Sequence, residues 1–379
     1  MVAGSASRVA EAEGPADEPP LPGPGRRSSR RNLAAIAGGL AVLLLGSVLL
    51  GDVPISSSTI LGIVAQRLLG GVLPGGACAT ATVTGSRCAI LVQIVWGNYV
   101  PQVLLGLFVG AALGVSGASL QGTFRNPLAD PYLLGLSSGA AVGAALLFVL
   151  HIGLTEANLY LPLFAFGGAL FSGLVVLLAA RSPKSTVTTL LLTGVALSSF
   201  FSALLVLALL YNVNGDLQVS FWLLGGLEGA TWPQVGIVVS GVATTGALLA
   251  VYGRDLNLLQ LGPEVAQSLG VHARQVRFRT ILLASLCTSF AVAFAGVIGF
   301  VGLVSPHVVR RLLGVDYRRV IPASALVGAI FVLGARDLAL VAFPGTEVPV
   351  GVPMAFAGAI FFLYLLYRRP ATRGIPAST

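Results

Sequence analysis

The feature that most constrains this chain is a succession of apolar runs, most of them close to the length that crosses a bilayer. They lie at residues 33–51, 100–122, 132–151, 160–180, 187–211, 233–252, 279–298, 300–312, 320–342 and 350–367. A helix needs roughly 20 apolar residues to cross the hydrocarbon core, and a chain in lipid must satisfy its backbone polar groups internally. The expected fold is therefore all-α, a polytopic membrane protein with about ten transmembrane helices. The run at 300–312 is too short to cross alone and reads as a half-helix buried against its neighbours. Charged residues make up only 9% of the chain and mean hydropathy is +0.91. Soluble proteins carry about a quarter charged residues, so a large soluble domain is excluded.

Charge placement orders the rest. The net charge is +8, but the basic residues sit between apolar runs and form no aromatic-interleaved patch, so nucleic acid is not the expected partner. With the N-terminus inside, all of the 22 Lys and Arg residues except Arg67, Arg87 and Arg336 fall on cytoplasmic segments. That bias sets the orientation and favours an even number of spans, with both termini cytoplasmic. Residues 1–32 are rich in Pro, Gly, Ser and charge and read as a disordered cytoplasmic tail. Arg26-Arg27 and Arg30-Arg31 also admit a twin-arginine export signal, but a positive flank to the first span fits better. The membrane domain is expected over 33–370, with an extracytoplasmic loop at 54–97, a long cytoplasmic loop at 253–278 and a second tail at 371–379. Cys78 and Cys88 share the loop placed outside, where disulfides persist. A bridge between them is expected, with two free thiols as the alternative.

Val100–Ala145 carries two glycine ladders: Gly106, Gly110 and Gly114, then Gly135, Gly139 and Gly143. Residues four apart share a helix face, and small residues let backbones approach closely in lipid. Between the ladders stands Asn126-Pro127-Leu128-Ala129-Asp130-Pro131, whose prolines break the helix. The expectation is a tightly packed helical hairpin.

Nothing in the chain supports hydrolysis or group transfer. There is no G-x-S-x-G, H-E-x-x-H or Walker phosphate loop, so an enzyme is not expected. Three Cys and three His leave little for a metal site, and no metal or cofactor is expected on this chain. His307 reads as structural and His272 as solvated. In Leu261–Val271, Pro263 and Glu264 open a short helix and Gly270 closes it.

Several of these stretches resemble one family. GASLQGTFRNPLADPYLLGLSSGAAVGAA resembles the signature of permease subunits in ABC importers for iron–siderophores, haem and cobalamin. Gly299–Ala329, Glu347–Leu366 and Phe221–Trp232 are similar to its C-terminal segment, last span and outer half-helix, so the likeness covers about 98–368. It implies a cobalamin-importer-permease-like fold, pairing as a homodimer or with a paralogous permease, and an ATP-binding cassette ATPase that binds ATP-Mg. It also implies an extracytoplasmic substrate-binding protein and a place in the cytoplasmic membrane. Asn126, Pro127 and Leu128, with Val187 and Thr188, match the cytoplasmic gate. Gly262, Pro263, Glu264, Ala266, Ser268, Leu269 and Gly270 match the coupling helix that meets the ATPase.

At the docking surface the chain departs from the family. Relatives carry R-L-P-R before the second span; here the positions hold Tyr99-Val100-Pro101-Gln102. A third outer arginine falls on Leu340, with Arg336 one turn below and Glu347 beyond. Docking is thus expected without the usual glutamate pairs, through polar and aromatic contacts that include Tyr99, or through basic residues offered by the binding protein. The cargo implied is an iron–siderophore complex, with cobalamin or haem as alternatives. An ion-coupled transporter is the remote alternative, and such proteins carry an ionisable residue in the membrane core; Asp337, beside Arg336, comes nearest. An intramembrane enzyme is disfavoured by the scarcity of Cys, His and acids.

Overall fold

The computed structural model describes residues 26–69, 86–152, 157–182, 186–211, 216–346 and 348–367. Helices account for nearly all of it, with no strand among the described residues. The long spans are α1 (Arg26–Leu49), α4 (Val100–Phe124), α6 (Ala157–Ala180), α7 (Val187–Tyr211), α9 (Trp232–Val251), α12 (Ala273–Ala295) and α14 (Tyr317–Ala342). Three shorter apolar helices complete the set read from sequence: α5 (Leu136–Val149), α13 (Val301–Leu313) and α15 (Gly351–Tyr367). Among the described residues, seven helices are long and apolar enough to cross a membrane. Between spans lie α2 (Ser57–Leu68), α3 (Ser86–Val92), α8 (Asp216–Leu223), α10 (Gly253–Gln260) and α11 (Pro263–Ser268).

Helix α4 is the centre of the fold, packed by α14, α12, α13 and α9, and its residues from Val109 to Phe124 are buried almost without a break. The contact with α14 runs along the first glycine ladder. A Cβ on Gly110 would lie 2.3 Å from the Gly328 carbonyl oxygen, and one on Gly114 would lie 2.0 Å from that of Ser324. The second ladder serves another pair. A Cβ on Gly139 would stand 2.5 Å from the Gly168 carbonyl oxygen, and one on Gly143 would stand 2.1 Å from that of Phe164, both on α6. Gly135, whose φ of 75° ends the 3-10 turn Pro131–Leu134, lies against Ser172 of α6 and against Gly194 and Leu197 of α7. The ladders therefore pack tightly, but not on each other, which corrects the hairpin expectation. Helix α12 stands between them, packed on α4 and on α5 and α6, while Gly302 at the start of α13 sits against the Leu113 carbonyl on α4 and against Asp130 and Pro131 in the turn.

The expected loop at 54–97 is also revised. Ser56 caps α2 through its side chain, and the second span begins near Arg87 rather than residue 100, running to Phe124. Pro101 has no N–H for the Gly97 carbonyl, and just before it Gln93–Tyr99 is wound as a π-helix, with the Val100 N–H donating to Val95. A missing donor absorbed by a π-type turn keeps the helix continuous where proline would otherwise break it. Cys88 is disulfide-bonded, whereas Cys78 lies outside the described residues. The third cysteine, Cys287, is free and buried. The half-helix expected at 300–312 is α13, preceded by non-helical backbone at 296–300 in which Gly296 and Ile298 are buried and Val297, Gly299 and Phe300 half-buried.

Candidate functional site: the gate turn and the coupling segment

The turn after α4 is built by its own backbone. Arg125 takes a left-handed conformation at φ 51° and the Asn126 N–H donates back to the Gln121 carbonyl at 3.2 Å. The Asn126 side-chain oxygen then accepts from the Leu128 N–H at 3.0 Å, an Asx turn that fixes Pro127 outward. Asn126 and Leu128 are half-buried and Pro127 is exposed. Beneath them the buried Gln121 amide donates to the carbonyls of Ala129 (3.2 Å), Gly302 (3.3 Å) and Leu303 (3.4 Å). One side chain thus ties α4, the turn and α13 together. A lone amide in a run of Gly, Ala and Leu was the sequence signal for it.

Asp130 closes the turn, its carboxylate accepting from the Tyr132 N–H at 2.9 Å. Packed among protein atoms with only that bond to offset the loss of water, its carboxyl is pushed up to about 6. The second gate segment opens α7. Thr186 caps it by accepting from the Thr189 N–H at 3.1 Å. Val187 packs on the central core and Thr188 is exposed. No hydrogen bond joins Asn126–Leu128 to Val187–Thr188 among the described residues.

The coupling segment lies at the same end of the bundle. Gly262, at φ 110°, and Gly270, at φ 83°, bracket α11, backbone geometry that a side chain would strain. Ala266 is buried, while Glu264 and Ser268 are exposed. Leu261, Val265 and Leu269 are 62%, 45% and 56% exposed. Val265 and Leu269, four apart on α11 and its C-cap, share one face, while Leu261 ends α10 on the other side of Gly262. An exposed apolar pair on a short helix is the kind of surface that contact with another protein covers.

Helix α10 anchors this segment to the end of α4. Gln260 Nε2 donates to the Gly122 carbonyl at 2.9 Å, within the last turn of α4. Asn257 Nδ2 donates to Asp316 Oδ1 at 2.6 Å, and Asn257 Oδ1 accepts from the Tyr317 N–H at 2.8 Å. Asp316 caps α14 and pairs with Arg318 at 3.0 Å. Burial would raise the Asp316 carboxyl, but the bonds from Arg318 and Asn257 outweigh it and hold it below its ordinary value. Sequence reasoning missed Asn257 and Gln260, although the pattern LNLLQ, with two amides three residues apart among leucines, is visible.

At the opposite end the docking residues read from sequence are corrected. Tyr99 is 4% exposed, its hydroxyl accepting from the Val53 N–H at 2.9 Å. Arg336 is 5% exposed; it pairs with Asp337 at 3.0 Å and donates to the Ser47 carbonyl at 3.1 Å and to Gln102 at 3.4 Å. Ser47 in turn donates to Asp337. Tyr99, Gln102 and Arg336 are thus committed to holding α1 on α4 and α14, because a buried guanidinium and hydroxyl must find partners inside the fold. Leu340 is half-buried, and Glu347 lies outside the described residues. Asp337, the one candidate for ion coupling, is matched by Arg336. No cluster of His, Cys, Asp and Glu suited to a metal ion occurs among the described residues.

The profile of the FecCD transport family matches residues 39–368. The chain belongs to that family. Curated relatives include the cobalamin import permease BtuC of Halobacterium salinarum, 38% identical over 84% of this chain and 86% of that protein. The hemin transport permease HmuU of Yersinia pestis is 40% identical over 74% and 85%. The Fe(3+) dicitrate permease FecD of Escherichia coli is 41% identical over 71% and 83%. Among solved structures, an inward-facing metal-chelate type ABC transporter superposes with a TM-score of 0.72 at 27% identity, covering 89% of this chain and 99% of that one. As a FecCD family member the chain is an ABC importer permease with a cobalamin-importer-permease-like fold, a multi-pass membrane component rather than the ATPase.

Proposed function

We propose that this FecCD family permease pairs with a second permease copy and carries an iron–siderophore complex across the cytoplasmic membrane, driven by ATP hydrolysis in a partner subunit. The observation that carries the reading is the bonded path from the exposed apolar pair of α11, through Gln260 of α10, to the end of α4 that forms the Asn126–Leu128 turn. A partner that moves α11 on binding ATP-Mg would pull on the gate through that path, and the permease itself needs no catalytic group. An extracytoplasmic binding protein delivers the cargo at the opposite end, and the N- and C-termini lie in the cytoplasm, as the distribution of arginines supports. Iron–siderophore is taken first as cargo; the relatives' names keep cobalamin and haem as the alternatives.

Uptake into vesicles of labelled ferric siderophore, haem and cobalamin, with and without the cognate ATPase and binding protein, tests this. ATP-dependent uptake of the ferric siderophore is expected, abolished by Leu269→Asp and by Glu264→Pro while the permease pair stays assembled. Proton-driven uptake by the permease alone would overturn the mechanism. Uptake of cobalamin or haem instead would change only the cargo.

A further inference from the structure

We propose that the groove between the start of α1, the end of α13 and the start of α14 is a binding site for one anionic phospholipid, in the leaflet that meets the basic end of the bundle. The groove holds about 790 Å³. Its mouth is set by Arg30, Arg318 and Arg319 and its wall by Leu33, Leu313 and Leu326. Basic mouth above apolar wall is the amphipathic order of a phospholipid, with the phosphate at the surface and an acyl chain below it.

Two further observations select an anionic occupant. Only two ion pairs form among the described residues, Arg318 with Asp316 and Arg336 with Asp337. Arg30 and Arg319 therefore face the groove without a carboxylate partner, while Arg318 is partly neutralised. A zwitterionic headgroup would bring its own cation to this cluster; an anionic one brings none, so charge complementarity favours it. The groove is also held open by structure rather than by the lipid. Asn32 Nδ2 donates to the Leu312 carbonyl at 2.8 Å, which fixes the spacing of α1 and α13 at the mouth. No part of the gate, the exposed pair on α11 or the buried Arg336 cluster lines this groove.

The full-length chain, purified in mild detergent with the subunits that accompany it, is titrated with phosphatidylglycerol or phosphatidylcholine of matched chain length. Bound lipid is counted by native mass spectrometry. About a thirty-fold preference for phosphatidylglycerol is expected, at roughly five-fold for each of the two free arginines, and it should shrink as salt rises. The exposed double substitution Arg30→Gln with Arg319→Gln should remove the preference. Ala37→Trp, from an exposed position on α1 that lines the groove, should displace the lipid with the arginines intact. Equal retention of both lipids by the unaltered chain would overturn the proposal. So would unchanged phosphatidylglycerol binding in either variant, or full competition by millimolar inorganic phosphate, which would mark a soluble-anion site.

Discussion

Asp130 shows how one side chain at the gate turn answers to two demands. Its carboxylate caps the 3-10 turn that launches α5, yet burial holds its pKa near 6, above the ordinary 3.8. The native state therefore binds this proton more tightly than the unfolded chain does. Stability falls as pH rises from about 4 to about 6, and the cost is fully present above that range. Asparagine keeps the capping oxygen without the charge. Asp130→Asn is expected to be more heat-stable than the parent at about pH 8, by about 1–2 kcal/mol once the site's partial exposure is allowed for. The difference should vanish by about pH 4. Thermal unfolding of the two proteins in the same detergent across that range checks it; equal stabilities at high pH would show that Asp130 is solvated there.

Among the elements, α10 has the largest consequence for its length. Its eight residues join the ends of α4 and α14 through Gln260 and Asn257, while its own start approaches α14 so closely that a Cβ on Gly253 would lie 2.9 Å from the Arg318 backbone. Such short, rigid coupling transmits displacement because packed elements shift as units rather than deform. Gln260→Ala removes the link to the Gly122 carbonyl and should leave assembly and ATP hydrolysis intact while lowering cargo moved per ATP by several-fold, from a loss of about 1 kcal/mol of coupling. Asn257→Ala should add to this effect less than independently, since both act through one junction. Transport and hydrolysis measured in the same proteoliposomes decide it; a parallel fall in both would place Gln260 in folding rather than in coupling.

At the scale of the molecule, the two ends of the bundle differ in charge and in what their arginines do. The basic end leaves Arg30, Arg319 and others exposed, whereas at the other end Arg336 is drawn inside to hold α1 against α14. Affinity for the binding protein should therefore owe nothing to the buried Arg336, and any salt dependence should trace to the exposed Arg67 and Arg87. Arg336→Ala should lower thermal stability, by about 3–5 kcal/mol for a broken buried pair, instead of weakening docking selectively. Titration of the binding protein at low and high salt, alongside melting of the variant, separates the two roles. A steep salt dependence that is lost in Arg336→Ala would restore charge-paired docking through that residue.

Span number, helical class, the break at Asn126–Pro131 and the capped α11 were all legible from the residues in order, since apolar length, proline and glycine act locally. The turn at Asn126–Leu128 and the short helix α11, to which the proposed gate and coupling roles are given, could be located by pattern for the same reason. Partners in space could not. The ladders of Gly106–Gly114 and Gly139–Gly143 announce that something packs closely, but only the tertiary arrangement, with α12 packed on both α4 and α5, decides that α14 and α6, not each other, fill them. Likewise Tyr99 and Arg336 stand at positions that look outward along the chain, and only the arrival of α1, with Val53 and Ser47 as hydrogen-bond partners, turns them inward. The links from Asn257 and Gln260 span 59 and 138 residues of sequence. A side chain's choice of a distant partner depends on geometry that local propensity does not contain.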